Sequence, residues 1–430
     1  MERLGGDLPR QSAGLCGLAG VSHGVNRPAM ERLIPGLWGA LFLLCASVLY
    51  SCGPDAAPPA SNASTEDVTL DTMGGFGAPD GSPPAPDTTV GADTQDPPPP
   101  DTTEALDTQS GPPELGPVPW FFSIHASEVA YDLDRAALAF EAIKDLGGQG
   151  VRTDVFWWDV EPEDGQWNEE RMAFYEAYAD LARSHGLEPM IIVSGAPGWA
   201  VSLYQSDPEA FWARYESYVD KAITPFADWL AHVQIWNEPN HIIDPIGSED
   251  DHQLFVRGAA IVRARAPGVR TYANVMANLV GWEEAVTDWV VKSGDAIDVI
   301  GIDHYPGTWT ASSFSDWAPF DILITRINDP ADAWYGKLGA VMETGYSSWM
   351  AVTADEGRQR DWINESLPVL RSRIAQAHAT ETYGIVLANY YQLIDVDTDG
   401  WGQEAHFGIL HTDLSEKEGY SALRTQLGLF

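Results

Sequence analysis

"EPMIIVSG", residues 188–195, followed after a short loop by "DPEAFWARYESYVDKAI" at 207–223, decides the fold. The first segment is a short apolar run that stops on a serine and a glycine, as a strand buried on both faces does. The second opens on Asp207, Pro208 and Glu209, which are a cap, a proline at the first helical position and an early acid. Its large apolar residues then recur at helical spacing. A strand followed by an amphipathic helix is the repeating unit of a parallel sheet.

The same unit recurs along the chain. "WFFSIH" (120–125), "GVRTDVF" (150–156), "HVQIWNE" (232–238), "VRTYANV" (269–275), "IDVIGIDHY" (297–305), "LGAVMET" (338–344) and "GIVLANYYQL" (384–393) are each followed by a helical stretch. Gly186, Gly268 and Gly294 mark helix exits. Eight units between residues 118 and 430 fit one α/β domain, a (β/α)8 TIM barrel. The rival, a doubly wound open sheet, would carry a Gly-rich phosphate turn after its first strand, and none is present.

Ahead of the barrel the texture changes twice. Residues 1–52 read as a lipoprotein signal peptide, with the true start at Met30. From there "MERLIPGLWGALFLLCASVLYSC" (30–52) has a charged start at Arg32, an apolar core and a cysteine, Cys52. Leu49-Tyr50-Ser51-Cys52 resembles the lipobox of bacterial lipoproteins, which implies acylation of Cys52. An uncleaved membrane anchor is the alternative reading of the same apolar run. Residues 53–117 form a Pro/Asp/Thr-rich spacer without a single Lys or Arg. Such a segment has too little apolar surface to offset the entropy of ordering, and disorder is expected. A lipid-anchored protein of the bacterial cell envelope, with the outer membrane as its destination, follows from this reading. All three cysteines lie within the first 52 residues, so the barrel has neither a disulfide framework nor a thiolate metal site.

Charge narrows the partners. With 24 Lys+Arg against 63 Asp+Glu, a net charge of −39, the chain lacks the basic face that nucleic acid or an anionic membrane surface requires. A neutral glycan meets no such obstacle, and 17 Trp and 15 Tyr offer rings on which sugars stack. A monomer and a carbohydrate substrate are expected.

In a barrel of this kind, chemistry sits at the C-terminal ends of the strands. Glu238, in "QIWNEPN" (234–240), ends the fourth strand, and Glu343, in "AVMETGYSS" (340–348), ends the seventh. One glutamate at a strand end is usually a loop charge. Two at corresponding tips, three strands apart, face a common mouth.

"WNEPN" and "METGYS", together with "GVRTDVFWWDVEPEDGQWN" (150–168), "SGAPGWA" (194–200), "GIDHYP" (301–306) and "AHFGIL" (405–410), resemble the glycoside hydrolases of clan A. The likeness covers 118–430 and is nearest the β-xylosidase-like and cellulase-like branches. It implies a retaining hydrolase in which Glu343 is the nucleophile and Glu238 the acid/base, with no cofactor and no resident metal. By the same carry-over Arg152 hydrogen-bonds the nucleophile, Asn237 contacts the sugar 2-hydroxyl, and Tyr305 donates to Glu343. His304 either lines the site or points into the barrel wall. Trp157, Trp158, Trp199 and Trp401 are candidate sugar platforms, and His125 is a weaker site candidate. One departure stands out. Where the clan often has a tryptophan at the eighth strand's end, this chain reads "NYYQL", leaving Tyr390, Tyr391 or Trp401 to substitute.

"DVDTDG" (395–400) opens like a calcium loop, yet its twelfth position is His406 where a bidentate glutamate is needed. A solvated acidic turn is the expected state, with Asp395, Asp397 and Asp399 as ligands in the other case. The alternative to an enzyme is a non-catalytic glycan-binding lipoprotein on a degenerate barrel.

Overall fold

The computed structural model describes residues 115–429, apart from 130, 242–244, 248, 310, 351–352 and 397–401. The signal segment, Cys52, the spacer through residue 114, Asp397, Asp399 and Trp401 lie outside the described residues. Eight parallel strands close into a barrel: β1 (Trp120–Ser123), β2 (Gly150–Phe156), β3 (Glu188–Ser194), β4 (His232–Ile235), β5 (Arg270–Met276), β6 (Val299–Asp303), β7 (Leu338–Thr344) and β8 (Ile385–Tyr390). Each strand pairs with its sequence neighbours, and β1 closes the ring on β8. Helices α1 (Leu133–Leu146), α2 (Glu169–Ser184), α3 (Pro208–Ile223), α4 (Asp251–Arg265), α5 (Trp282–Ser293), α6 (Ala318–Asn328), α7 (Glu356–Thr380) and α8 (Tyr420–Leu427) follow the strands in turn. Among the described residues no helix is long and apolar enough to cross a membrane.

Local chemistry explains the punctuation. The Asp207 carboxylate accepts from Ala210 N–H at the start of α3, with Pro208 in the first turn. Asp132 and Asp355 cap α1 and α7 in the same way. Gly186, Gly268 and Gly294 take positive φ at the helix exits, a region L side chains enter at a cost.

The core has two parts. The larger lies between the sheet and the helices; the smaller fills the lumen with Phe121, Met190, Tyr272, Val299, Ala340, Met342 and Leu387. This plug closes the lower barrel, as layered side chains do in such folds. Gly301 on β6 leaves the room that the Met342 side chain occupies. Polar side chains of the strands therefore collect above the plug.

Candidate active site

Glu343 stands at the top of β7, where pairing with β6 slips by one residue: Ile302 opposes Val341, but Asp303 opposes Glu343. The β8 side of β7 shows a shift at the same level. A bulge there aims the side chain at position 343 into the lumen together with its neighbour on β6. Glu238 lies three residues beyond the end of β4, and its φ of 47° is left-handed, as is the 64° of Trp236. A non-glycine residue rarely adopts that conformation, and one followed by proline is restricted further. Backbone held against its preference persists where its surroundings over-determine it, commonly at working sites. Here Glu238 N–H donates to Asn274 Oδ1 at 2.9 Å, and Glu238 C=O accepts from His241 N–H.

The two glutamates have different surroundings. Glu343 is clamped: Arg152 Nη2 lies 2.7 Å from Oε1, and Tyr305 O–H donates to Oε2 at 2.6 Å. Arg152 is 1% exposed and is itself fixed by Gln234 Oε1, Ser123 Oγ and Asn237 Oδ1. Among the described residues no cation is paired with Glu238, and burial, then the charge of Glu343, push it up to about 8. One carboxyl is held by a cation and the other is pushed toward its neutral form. Oxygen atoms of Glu238, Glu343 and Asp303 all come within 4.8 Å of one another. That spacing would suit a cation, yet Arg152, Tyr305 and Asn274 already supply positive charge and hydrogen to the cluster.

The other residues singled out in the sequence scatter. Asn237 is in the site: Oδ1 accepts from Gln234 Nε2 at 2.9 Å, Asn274 Nδ2 at 3.0 Å and Arg152 Nη2 at 3.3 Å, which fixes the amide orientation. His304 is not in the site. Its ring packs edge-on to Trp317, Nε2–H donates to Asp316 C=O at 2.6 Å, and burial lowers its basicity. Strand alternation is the cause, since Asp303 and Tyr305 take the lumen side and their neighbour faces the helices. Trp157 is also corrected: it is fully buried, stacked on Tyr218, with its indole N–H on Glu161. Trp158 is 41% exposed and stacks on Phe156, which in turn lies parallel to His125. Trp199 is half-buried, edge-on to Trp157, and donates to Glu161 C=O.

Near the eighth strand's end Tyr391, not Tyr390, joins the site. Tyr390 is buried in the core, while Tyr391 meets the edges of His125, Tyr305 and Phe407. His125 lies at the mouth with Nδ1 2.6 Å from Asp154. Burial alone would lower it, but the charges of Glu128 and Asp154 prevail and raise it to about 9. Asp395 carries Lys417 Nζ at 2.7 Å, a buried ammonium that also donates to Ser348 Oγ. A lysine thus holds the oxygen that a calcium loop would offer first.

Sequence reasoning missed Asp303, Asn274, Gln234, Glu404, Trp309 and Phe407. Trp309 and Phe407 extend the Tyr305–Tyr391 wall. Burial, then the charge of Glu343, lift Glu404 to about 8. Only the Asp in "GIDHYP" could have drawn notice, as a charge in an otherwise apolar strand.

No family model matches the chain, and no curated protein matches it. Solved structures do. An exo-β-1,4-mannosidase from Opitutaceae bacterium strain TAV5 is 17% identical with a TM-score of 0.57, over 73% of this chain and 59% of that one. A family 39 glycoside hydrolase from the gut symbiont Bacteroides cellulosilyticus WH2 is 18% identical with a TM-score of 0.55, over 74% of this chain and 65% of that one. A GH5_18 protein from Streptomyces cattleya, in complex with GlcNAc, is 16% identical with a TM-score of 0.54, over 72% of this chain and 80% of that one. The chain spans less than two thirds of the first two. At these identities the likeness is one of fold, and the shared fold is the (β/α)8 barrel.

Proposed function

We propose that this protein is a retaining glycoside hydrolase that cleaves β-linked bonds in an oligosaccharide or polysaccharide by double displacement. One observation carries the reading: the carboxyl oxygens of Glu238 and Glu343 come within 4.8 Å at the tips of the fourth and seventh strands. Retaining glycosidases hold their carboxyls about 5–5.5 Å apart, whereas inverting ones leave about 6.5–9.5 Å for a water. Glu343 attacks the anomeric carbon as Glu238 gives its proton to the leaving oxygen. Glu238 then takes a proton from water, which releases the sugar from Glu343. Arg152 and Tyr305 hold the two oxygens of the nucleophile, and Asn237 offers Nδ2 to the sugar 2-hydroxyl. Trp158 on one side and the Tyr305–Tyr391–Phe407 wall on the other serve as platforms. The solved proteins of like fold that are named as β-glycosidases support the choice of linkage.

Replacement of the glutamates separates hydrolysis from mere binding. Glu343→Ala should abolish turnover on aryl β-glycosides, and azide should restore some of it with inverted configuration. Glu238→Ala should lose about 10²–10⁴-fold on poor leaving groups and spare activated ones. Wild-type rates in both variants would remove the pair from catalysis; a native protein that binds glycans and cleaves none would be a lectin-like binder.

We further propose that the barrel is displayed on the bacterial envelope by acylation of Cys52, the residue after an apolar segment that resembles a lipoprotein signal. Cys52→Ala should release the protein from membranes and abolish fatty-acid labelling. Retention without label in the native protein would identify a spanning anchor instead.

A further inference from the structure

Asp303, the last residue of β6, has no part in the mechanism above, yet it is 2% exposed in the middle of it. Its Oδ2 accepts from Asn274 Nδ2 at 2.6 Å. Its Oδ1 is buried, and among the described residues no N–H or O–H donor is assigned to it. What lies beside it is the carboxyl of Glu238: an oxygen of each comes within 4.8 Å of the other, with one of Glu343 as close. An ionised carboxylate only accepts, so where three carboxyls crowd together a buried oxygen that meets no donor favours a proton within the cluster. The groups facing the pair decide which carboxyl carries it. Arg152 from β2 is bound to Glu343 from β7, Tyr305 is committed to Glu343, and Glu404 from the loop after β8 is a further buried acid with no charge to offer in compensation. Among the described residues no cation forms an ion pair with Asp303, and it is buried more deeply than Glu238.

We infer that Asp303 is a neutral carboxylic acid that donates its O–H to Glu238 throughout the reaction, a positioning residue that steadies Glu238 in its ionised form. The inference rests on the proposed double displacement. In the first step the Glu238 proton goes to the leaving oxygen as the glycosidic bond breaks and the Glu343–sugar bond forms. Glu238 is then an anion close to two other acids, and the Asp303 O–H is the donor that receives it. In the second step water attacks, its proton passes to Glu238, and the Glu343–sugar bond breaks. Asp303 keeps its own proton in both. Asn274 secures the geometry, since it donates to Asp303 while its Oδ1 holds the Glu238 backbone N–H.

An amide is the neutral, donating mimic of a protonated carboxyl, so the full chain carrying Asp303→Asn should keep the native pH–rate profile. Asp303→Leu, of similar size but with no donor, should slow the deglycosylation step roughly 10–100-fold, the usual worth of a hydrogen bond to a charged group. Glycosyl-enzyme should then accumulate after a burst, whatever the leaving group. If Asp303 is instead ionised, Asp303→Asn removes a negative neighbour and its alkaline limb moves to lower pH, which overturns the inference. Infrared difference spectra of the resting proteins at neutral pH decide the same point without turnover. Native minus Asp303→Asn should show one protonated-carboxyl band, and its absence overturns the inference as well. A native protein that hydrolyses no glycoside defeats the proposed function alone, because the infrared comparison still reports the state of Asp303.

Discussion

Arg152 reaches Gln234, Ser123, Asn237 and Glu343 from a position 1% exposed, so its side chain is a hub and not only a counter-ion. Removing one member of a buried ion pair leaves an unpaired charge, at a cost of about 3–5 kcal/mol. Arg152→Met should lose about that much in a denaturant titration, and Arg152→Met with Glu343→Gln should recover part of the stability but none of the activity. A single variant as stable as the native protein would show that the guanidinium is dispensable to the fold. Arg152, Asn237, Glu238, Tyr305 and Glu343, singled out in the sequence, lie together in the structure. All but Arg152 are in or beside a strand-end motif, whereas Arg152, expected at the tip of β2, is its third residue and reaches the site by its length. Asp303 and Asn274 were not legible in the sequence, since their roles arise only where β4, β5 and β6 converge. The adjacent tryptophans 157 and 158 show the same limit: composition offers two rings, and one turn of helix decides which is core.

The strands themselves were read almost to the residue where a run was bounded by turns. GVRTDVF and LGAVMET match β2 and β7, whereas the run taken for the fourth strand continues past Ile235 into the left-handed backbone of Trp236 and Glu238. Apolar patterning cannot reveal a slip of register, so the β7 bulge appears only in three dimensions. It depends on close packing beneath it, where Gly301 of β6 faces the Met342 side chain. A methyl group at 301 would overlap that side chain directly below the nucleophile. Gly301→Ala should cost about 1–3 kcal/mol, the range for overpacking a filled core, and lower kcat through displacement of Glu343. Trimming the neighbour, in Gly301→Ala with Met342→Ala, should relieve the clash and recover some turnover. Unchanged thermal unfolding in the single variant would show that Met342 has a second place to go.

At the scale of the whole molecule, acid dominates, and its effects accumulate in one direction with pH. The chain carries a net charge of −39, so every proton lost adds to self-repulsion. The barrel mouth also buries acids that keep their protons. Burial comes first for Glu238 and Glu404, and each is pushed from 4.5 up to about 8. His125 is raised from 6.5 to about 9, because the charges of Glu128 and Asp154 outweigh its burial. In all three the folded state binds a proton more tightly than the unfolded chain does. Their contribution is therefore complete below the unfolded values and is lost as pH rises through the folded ones. Carboxylates shifted the other way, such as Glu188 beside His232, act only at the acid end. The melting temperature of the full chain should fall steadily as pH rises from 6.5 to about 9. Added salt should lessen the part due to surface repulsion, since exposed charges are screened, and leave the part due to the buried mouth. Glu404→Gln should flatten the fall further, because it removes one of the buried titrations without touching Glu343 or Arg152. A melting temperature that holds level or climbs across that interval would mean that the mouth acids are ionised in the folded protein at neutral pH, and with them the proposed proton on Glu238 would go.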